Sequence, residues 1–128
     1  MKTRTIAGAG AALALTVALT AGVPAIAKDG VVRHGSCSGS ADSKVKAGNE
    51  DGRIEVEGEI DSNRNGQVWR WRIVHDGKVA ARGTSTTHAP SGSFSVERMV
   101  GNHNGTDRIV FRAVRPATGQ VCTAVVRF

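Results

Sequence analysis

Leucine is almost missing from this chain of 128 residues. Leu13, Leu15 and Leu19 lie near the start, and the sequence after residue 27 has no leucine but 14 valines and four isoleucines. Leucine favours helices, whereas β-branched side chains fit the pleated surface of a sheet, so this bias predicts an all-β protein. The short length also excludes two domains, a doubly wound α/β enzyme and a TIM barrel.

Long hydrophobic runs are also scarce, since the chain has only one, from Ile6 to Val23. The run follows two basic residues, is interrupted by small side chains and precedes Ala25-Ile26-Ala27, a pattern typical of a cleavable export signal. We therefore expect residues 1–27 to be a secretory signal peptide and residues 28–128 to be a secreted domain. The sequence predicts no membrane span in that domain.

Cysteine occurs only twice, at Cys37 and Cys122. An exported protein meets an oxidising compartment, and an even cysteine count there predicts a disulfide. We expect this bond to join the first and last strands. Closing a loop that spans most of the domain would restrict the unfolded chain by about 4–5 kcal/mol in the entropy model.

Alternating apolar and polar residues, separated by turn sequences, predict the remaining architecture. Residues 28–43 are rich in Gly and Ser, and we expect them to be irregular except near Cys37. About seven strands follow: Lys44–Ala47, Arg53–Ile60, Val68–His75, Lys78–Thr86, Phe94–Val100, Arg108–Arg115 and Val121–Phe128. This spacing predicts a single immunoglobulin-like or fibronectin-like β-sandwich, with a small open barrel as the competing arrangement.

The alternation in Val68–His75 also predicts which side chains are buried. If Trp69 and Trp71 faced solvent, Arg70 and Arg72 would be buried cations without partners, which is very costly. We therefore expect both indoles in the core. The predicted core aromatics are Trp69, Trp71, Phe94 and Phe111.

Outward strand positions segregate by charge. One expected outer face carries Glu55, Glu57, Glu59 and Glu97 beside Lys44 and Lys46. The other is the arginine-rich face, which we define by Arg70, Arg72, Arg82, Arg108, Arg112 and Arg127. Guanidinium groups suit phosphates and carboxylates, so this face predicts an anionic partner. The alternative is that outward strand positions are ordinarily charged and solvated.

Most of the expected domain resembles the uncharacterised small secreted proteins of actinobacteria. The resemblance rests on the Ala-rich export signal, the end-to-end cysteine pair and two segments, Asp61-Ser62-Asn63-Arg64-Asn65-Gly66-Gln67-Val68-Trp69 and Ala89-Pro90-Ser91-Gly92-Ser93-Phe94. It implies a secreted immunoglobulin-like sandwich. It transfers no catalytic or binding residues.

Two patterns raise the question of a metal site. Asp61, Asn63 and Asn65, followed by Gly66, match the first half of a calcium loop, but Arg72 occupies the twelfth position, where a bidentate Glu is needed. Such residues are also what a turn selects. The four histidines fall in separate loops or at strand ends, lack the spacing of a metal site and are expected to be exposed to solvent: His34, His75, His88 and His103. The sequence therefore predicts no metal and no cofactor.

These observations favour a secreted, non-enzymatic protein, because no catalytic constellation is visible in the sequence. Its expected partner is an anionic cell-wall polymer or another extracellular protein, bound through the arginine-rich face. Nucleic acid is not expected, since the chain is exported and this face has no stacking aromatic residue. Two other classes stay open: a secreted inhibitor or effector that acts through the loop 88–93, and a small hydrolase.

Overall fold

A computed structural model describes residues 30–128, and the expected signal peptide, residues 1–27, lies outside them. These residues form nine strands and no helix: β1 Gly30–His34, β2 Ser36–Cys37, β3 Asp42–Glu50, β4 Arg53–Asp61, β5 Val68–His75, β6 Lys78–Thr86, β7 Ser93–Gly101, β8 Arg108–Arg115 and β9 Gln120–Arg127. The all-β class is confirmed. No helix in this part of the chain is long and apolar enough to cross a membrane.

The strands form two antiparallel sheets. One has four strands in the order β1-β3-β4-β7, and the other has five in the order β2-β9-β8-β5-β6. The Asp76-Gly77 turn joins β5 to β6, with φ of 47° and 82° at its two residues. Positive φ at both positions fits the tight hairpin turn that this dipeptide favours. The sheets place their buried apolar side chains in one common core, so the fold is sandwich-like.

The expectation of about seven strands is corrected by the segment before Cys37. Gly30–His34 was expected to be irregular, yet it forms edge strand β1, where Val31 pairs with Ala47 of β3. Backbone hydrogen bonds create this pairing. Every residue except proline has a backbone donor and acceptor, so a polar, glycine-containing segment can form them as well as an apolar one. The structure therefore has nine strands, and β1 and β2 are the two that the sequence did not predict.

The disulfide between Cys37 and Cys122 is confirmed, but its position differs from the expected one. It joins β2 to β9, and thus the second strand to the last. The two residues are direct partners in the register of one sheet, with Cα atoms 4.0 Å apart. The bond therefore closes a loop between residues 85 positions apart and holds the short strand β2 on the sheet edge.

The core is built from alternate residues of both sheets. Trp69, Phe111, Ile54 and Ile60 are among its largest fully buried side chains. Gly58 of β4 faces the Phe111 ring so closely that a Cβ at this position would overlap it. Close approach of the two sheets therefore requires glycine here.

Candidate functional site

The predicted core aromatics are all buried. Trp69 and Phe111 are fully enclosed, and Trp71 and Phe94 are 4% and 3% exposed. The Trp71 indole Nε1–H donates to Ser85 Oγ at 3.0 Å, and the Arg98 guanidinium carbon lies 5.0 Å from the Trp71 ring centroid. The indoles therefore face the core, and Arg70 and Arg72 face solvent.

The arginine-rich face lies on the outer side of the five-stranded sheet. Arg72 of β5 is the direct cross-strand partner of Arg82 on one side and of Arg112 on the other. Arg108 and Arg127 form a second cross-strand pair between β8 and β9. Arg112 is half-buried, and the other five arginines are exposed. The register thus brings together residues that are far apart in the chain.

Three of these residues form a continuous row, which we call the arginine row: Arg82, Arg72 and Arg112. Neighbouring strands are about 4.8 Å apart, so the row spans about 10 Å across β6, β5 and β8. Like charges directly opposite one another on a sheet destabilise it. Within residues 30–128, no carboxylate lies within salt-bridge distance of these three guanidinium groups, so the repulsion is not offset by an ion pair.

A shallow groove of about 540 Å³ follows the arginine row. Its charged lining consists of the row and Arg70, and its apolar lining is Val79, Val114 and the small exposed part of Trp71, which is only 4% exposed. Thr84 adds a hydroxyl group. The groove therefore offers four guanidinium groups, a neutral donor and short apolar side walls to one ligand.

Charge is divided between the two sheets. The strands of the five-stranded sheet contain eight Lys and Arg and no Asp or Glu. Those of the four-stranded sheet contain seven Asp and Glu and five Lys and Arg. On this acidic side, Lys44 pairs with Glu59 across β3 and β4, with Nζ and Oε2 3.5 Å apart. Ion pairing thus occurs on the acidic face, whereas the charged strand residues of the arginine-rich sheet are all positive.

The segment that resembles a calcium loop is organised as a turn. Asp61 ends β4, and its Oδ1 accepts a hydrogen bond from the backbone N–H of Asn63 at 3.0 Å. Asn63 and Gly66 have φ of 56° and 81°. Asn63 and Asn65 are exposed. The carboxylate and the two positive φ values are accounted for by turn geometry, in agreement with the turn that the residue types predict.

The loop 88–93 is compact. His88 and Ser93 form a bridge that closes it, and the Gly92 N–H donates to the His88 carbonyl at 3.0 Å. The Gly92 carbonyl in turn accepts from the Ser62 backbone N–H at 3.0 Å. Gly92 is buried against the backbone of residues 63–64. The hypothesis that the protein is an inhibitor stays a prediction. Because Gly92 is buried, only the exposed residues at the tip of this loop could contact a target protein.

The expectation that all four histidines are exposed loop residues is wrong for His75. The residue is 6% exposed, and its Nε2 lies 2.6 Å from Oδ1 of Asp107, which is 1% exposed. His103 Nδ1 lies 2.6 Å from Asp76 Oδ2, and the two imidazole rings stack with centroids 4.1 Å apart. We call these four residues the His–Asp cluster. Each offers one ligand atom, and the four atoms lie within 4.8 Å of one another.

Strand pairing creates the His–Asp cluster. His75 is the last residue of β5, Asp76 begins the hairpin turn, and Asp107 directly precedes β8. Because β5 and β8 are antiparallel, with His75 opposite Ile109, the end of one strand lies beside the start of the other. His103 reaches the cluster from the β7–β8 loop, where its backbone N–H donates to Asp107 Oδ1 at 3.1 Å.

The backbone holds this arrangement from several directions. The Asp76 N–H donates to the Arg108 carbonyl at 2.9 Å, and the Arg108 N–H donates to Asp76 Oδ1 at 2.7 Å. Asp107 and Phe128 exchange two backbone hydrogen bonds of 2.8 and 2.9 Å. The turn, the start of β8 and the end of the chain are thus connected at one end of the sandwich.

The electrostatic environment keeps Asp76 ionised. Its carboxyl pKa is held below the usual range, first because the Arg108 backbone N–H donates to it and then because of the hydrogen bond with His103. Charge interactions with both imidazoles act in the same direction, while burial acts against them. A carboxylate is therefore available at this position at neutral pH.

No protein-family model, curated protein or solved structure matches this chain. Residues 30–128 carry two chemically distinct features, the arginine-rich face with its groove and the His–Asp cluster.

Proposed function

We propose that the protein is a secreted, non-enzymatic binding module that recognises an anionic polymer through the arginine-rich face. The polymer class is one that carries repeated phosphate or carboxylate groups, as anionic cell-wall polymers do. The alternative partner is another extracellular protein that has an acidic surface. The Cys37–Cys122 disulfide supports an extracellular location, because such bonds persist in oxidising compartments.

The observation that carries this proposal is the arginine row. Three guanidinium groups occupy directly opposed positions on three adjacent strands, and the strands of that sheet contain no carboxylate. An ordinary solvated strand surface mixes both signs of charge, as the opposite sheet does. A bound polyanion would offset the repulsion between the three guanidinium groups, and this would explain why like charges are placed directly opposite one another.

The chemistry of arginine narrows the ligand further. A guanidinium group presents parallel N–H donors that match the two oxygens of a carboxylate or phosphate. Groups repeated along a polymer can each contact a different member of the row, because neighbouring guanidinium groups stand one strand apart. Val79 and Val114 line the same groove and suit the carbon backbone of such a polymer.

We also infer an immunoglobulin-like or fibronectin-like arrangement for the sandwich. Strands β3 to β9 divide into β3-β4-β7 and β9-β8-β5-β6, which supports the seven-strand core expected from the sequence. β1 and β2 then add one strand to the edge of each sheet. In such a sandwich the outer face of the larger sheet is free to act as a binding surface.

Affinity measurements with defined polymers test the proposal. Long-chain polyphosphate and poly-glutamate are titrated into the disulfide-bonded protein at low salt, with neutral dextran as the uncharged control. We expect saturable binding to a polyanion that weakens as salt is added, because exposed charges are screened. Comparison of the two polyanions identifies the preferred acidic group, and binding to dextran as strong as to either polyanion would refute the proposal.

Two substitutions with the same change in charge locate the binding surface. Arg72→Glu reverses the centre of the arginine row, whereas Arg33→Glu makes the same reversal on β1 of the other sheet. Hydrogen bonds to charged groups contribute about 1.5–3 kcal/mol, so Arg72→Glu should weaken binding by about tenfold to a hundredfold. Arg72→Lys should retain part of the affinity, since it keeps the charge and loses the paired donors. Equal losses in Arg33→Glu and Arg72→Glu would show that net charge alone governs binding.

A further inference from the structure

We infer that the His–Asp cluster binds one divalent transition-metal ion of the Zn²⁺ type, through His75, Asp76, His103 and Asp107. This inference is independent of the proposed anion binding, because it rests on other side chains at one end of the sandwich. The ion would join the β5–β6 turn to the β7–β8 loop. Its role would be structural, since all four ligands come from the protein.

The donor spacing suits a small ion with four ligands. Bonds of about 2.0–2.1 Å arranged tetrahedrally place neighbouring ligand atoms about 3.3 Å apart. In the cluster, His75 Nε2 is 3.5 Å from Asp76 Oδ2 and 2.6 Å from Asp107 Oδ1. His103 Nδ1 is 2.6 Å from Asp76 Oδ2 and 3.7 Å from Asp107 Oδ1. These four separations bracket the tetrahedral value, and all four ligand atoms lie within 4.8 Å of one another, so side-chain adjustment could bring them around one ion.

The chemistry of the donors selects the class of ion. Two imidazole nitrogens and two carboxylate oxygens suit Zn²⁺ and neighbouring transition metals. Ca²⁺ and Mg²⁺ prefer sets made entirely of oxygen and are poorly served by imidazole. The cluster therefore differs in chemistry from the Asp61 turn, which offers only oxygen donors and resembles a calcium loop.

A second, independent observation points to a ligand at this position. Asp107 Oδ2 is buried and has no hydrogen-bond partner within the described residues, although Oδ1 of the same carboxylate has two. A buried carboxylate oxygen without a partner is costly, and such atoms call for an explanation. A cation in the cluster would supply the missing attraction to this carboxylate.

The stacked rings define the movement that coordination requires. The planes of His75 and His103 differ by only 13°, so the in-plane lone pairs of the two rings are not directed at one point. The His75 side chain is buried and hydrogen-bonded to Asp107, whereas the His103 side chain is 55% exposed on a loop. His103 is therefore the ligand that would tilt, and it would do so at the solvent side, where an ion can enter.

Titration of Zn²⁺ into the untagged, disulfide-bonded protein tests this inference. We expect calorimetry to show saturable binding of one ion, and we expect the melting temperature to rise by about 10–20 °C when free Zn²⁺ is a hundredfold above the dissociation constant. Ca²⁺ should cause no such rise. In a parallel titration, Co²⁺ should develop the intense visible absorption of four-coordinate geometry, which exposed histidines alone do not produce.

Two histidine variants separate the cluster from adventitious surface binding. His103→Ala removes an exposed ligand with little expected effect on folding, and His88→Ala removes an exposed histidine of another loop. Loss even of a residue that only hydrogen-bonds to a metal ligand costs about 10–100-fold in affinity, so loss of the ligand itself in His103→Ala should weaken Zn²⁺ binding at least tenfold, and His88→Ala should not. The inference fails if wild type shows no saturable binding, or if both variants bind Zn²⁺ as tightly as wild type.

Discussion

The arginine row makes a prediction about stability that runs against the usual effect of mutation. Most substitutions destabilise a protein, yet Arg72→Glu should raise the free energy of unfolding. Arg72 stands directly between Arg82 and Arg112, so one substitution turns two like-charged cross-strand pairs into two oppositely charged pairs. The residue is exposed, and the change therefore leaves the core untouched.

The expected gain follows from the size of cross-strand interactions. Each opposed pair contributes about 0.2–1 kcal/mol, so converting two pairs should add about 0.5–2 kcal/mol at low salt. Glutamate fits strands slightly less well than arginine, which reduces the gain by a few tenths of a kcal/mol. A net gain near 1 kcal/mol would raise the melting temperature of a domain of this size by about 4–8 °C.

Urea unfolding at two salt concentrations is the appropriate assay, because urea itself adds no charge. The gain should be present in 10 mM NaCl and should largely disappear in 1 M NaCl, where the screening length falls to about 3 Å. Arg33→Glu provides the control, since its cross-strand partner is the uncharged Val45 and the change in net charge is the same. An unchanged or lower midpoint for Arg72→Glu at low salt, or a gain that persists at high salt, would refute the reasoning.

Three further predictions concern the fold. Replacing Cys37 and Cys122 together by Ser should lower the free energy of unfolding by about 2–5 kcal/mol and leave the β-type circular dichroism, whereas a disordered chain would contradict this. Gly58→Ala should cost about 1–3 kcal/mol in urea unfolding, because its Cβ would overlap the Phe111 ring, and an unchanged midpoint would contradict the close approach of the sheets. Both tryptophans should emit at short wavelength and resist acrylamide quenching, because they are buried; emission of the hydrated type would contradict this.

Local alternation was sufficient to predict much of this fold. In β5 the period of two residues forces Trp69 and Trp71 to one side and Arg70 and Arg72 to the other, and the cost of burying unpaired guanidinium groups decides which side is inside. The Asp76-Gly77 dipeptide favours the hairpin between β5 and β6 for the same kind of local reason. The register that lines up the arginine row is not local, because β8 reaches β5 only through pairing between distant segments.

The features that were missed depend on such distant pairing. β1 has little alternation of its own, and its hydrogen bonds to β3 define it as a strand. His75 and His103 are separated along the chain by two strands and their connections, so their spacing carries no metal signature. The available signal was positional: His75 ends one strand and Asp107 precedes another, and antiparallel neighbours bring such ends together.

The arginine-rich face and the His–Asp cluster meet at Arg108. Its backbone N–H donates to Asp76 of the cluster, while its side chain belongs to the arginine-rich face beside Arg127. The two carboxylates of the cluster therefore place negative charge at one end of an otherwise basic surface. An ion held by the cluster would compensate that charge and extend the positive potential along β8. Zn²⁺ should therefore strengthen polyanion binding by the wild-type protein and should have no such effect on His103→Ala. An equal response of the two proteins would show that the cluster does not influence polyanion binding.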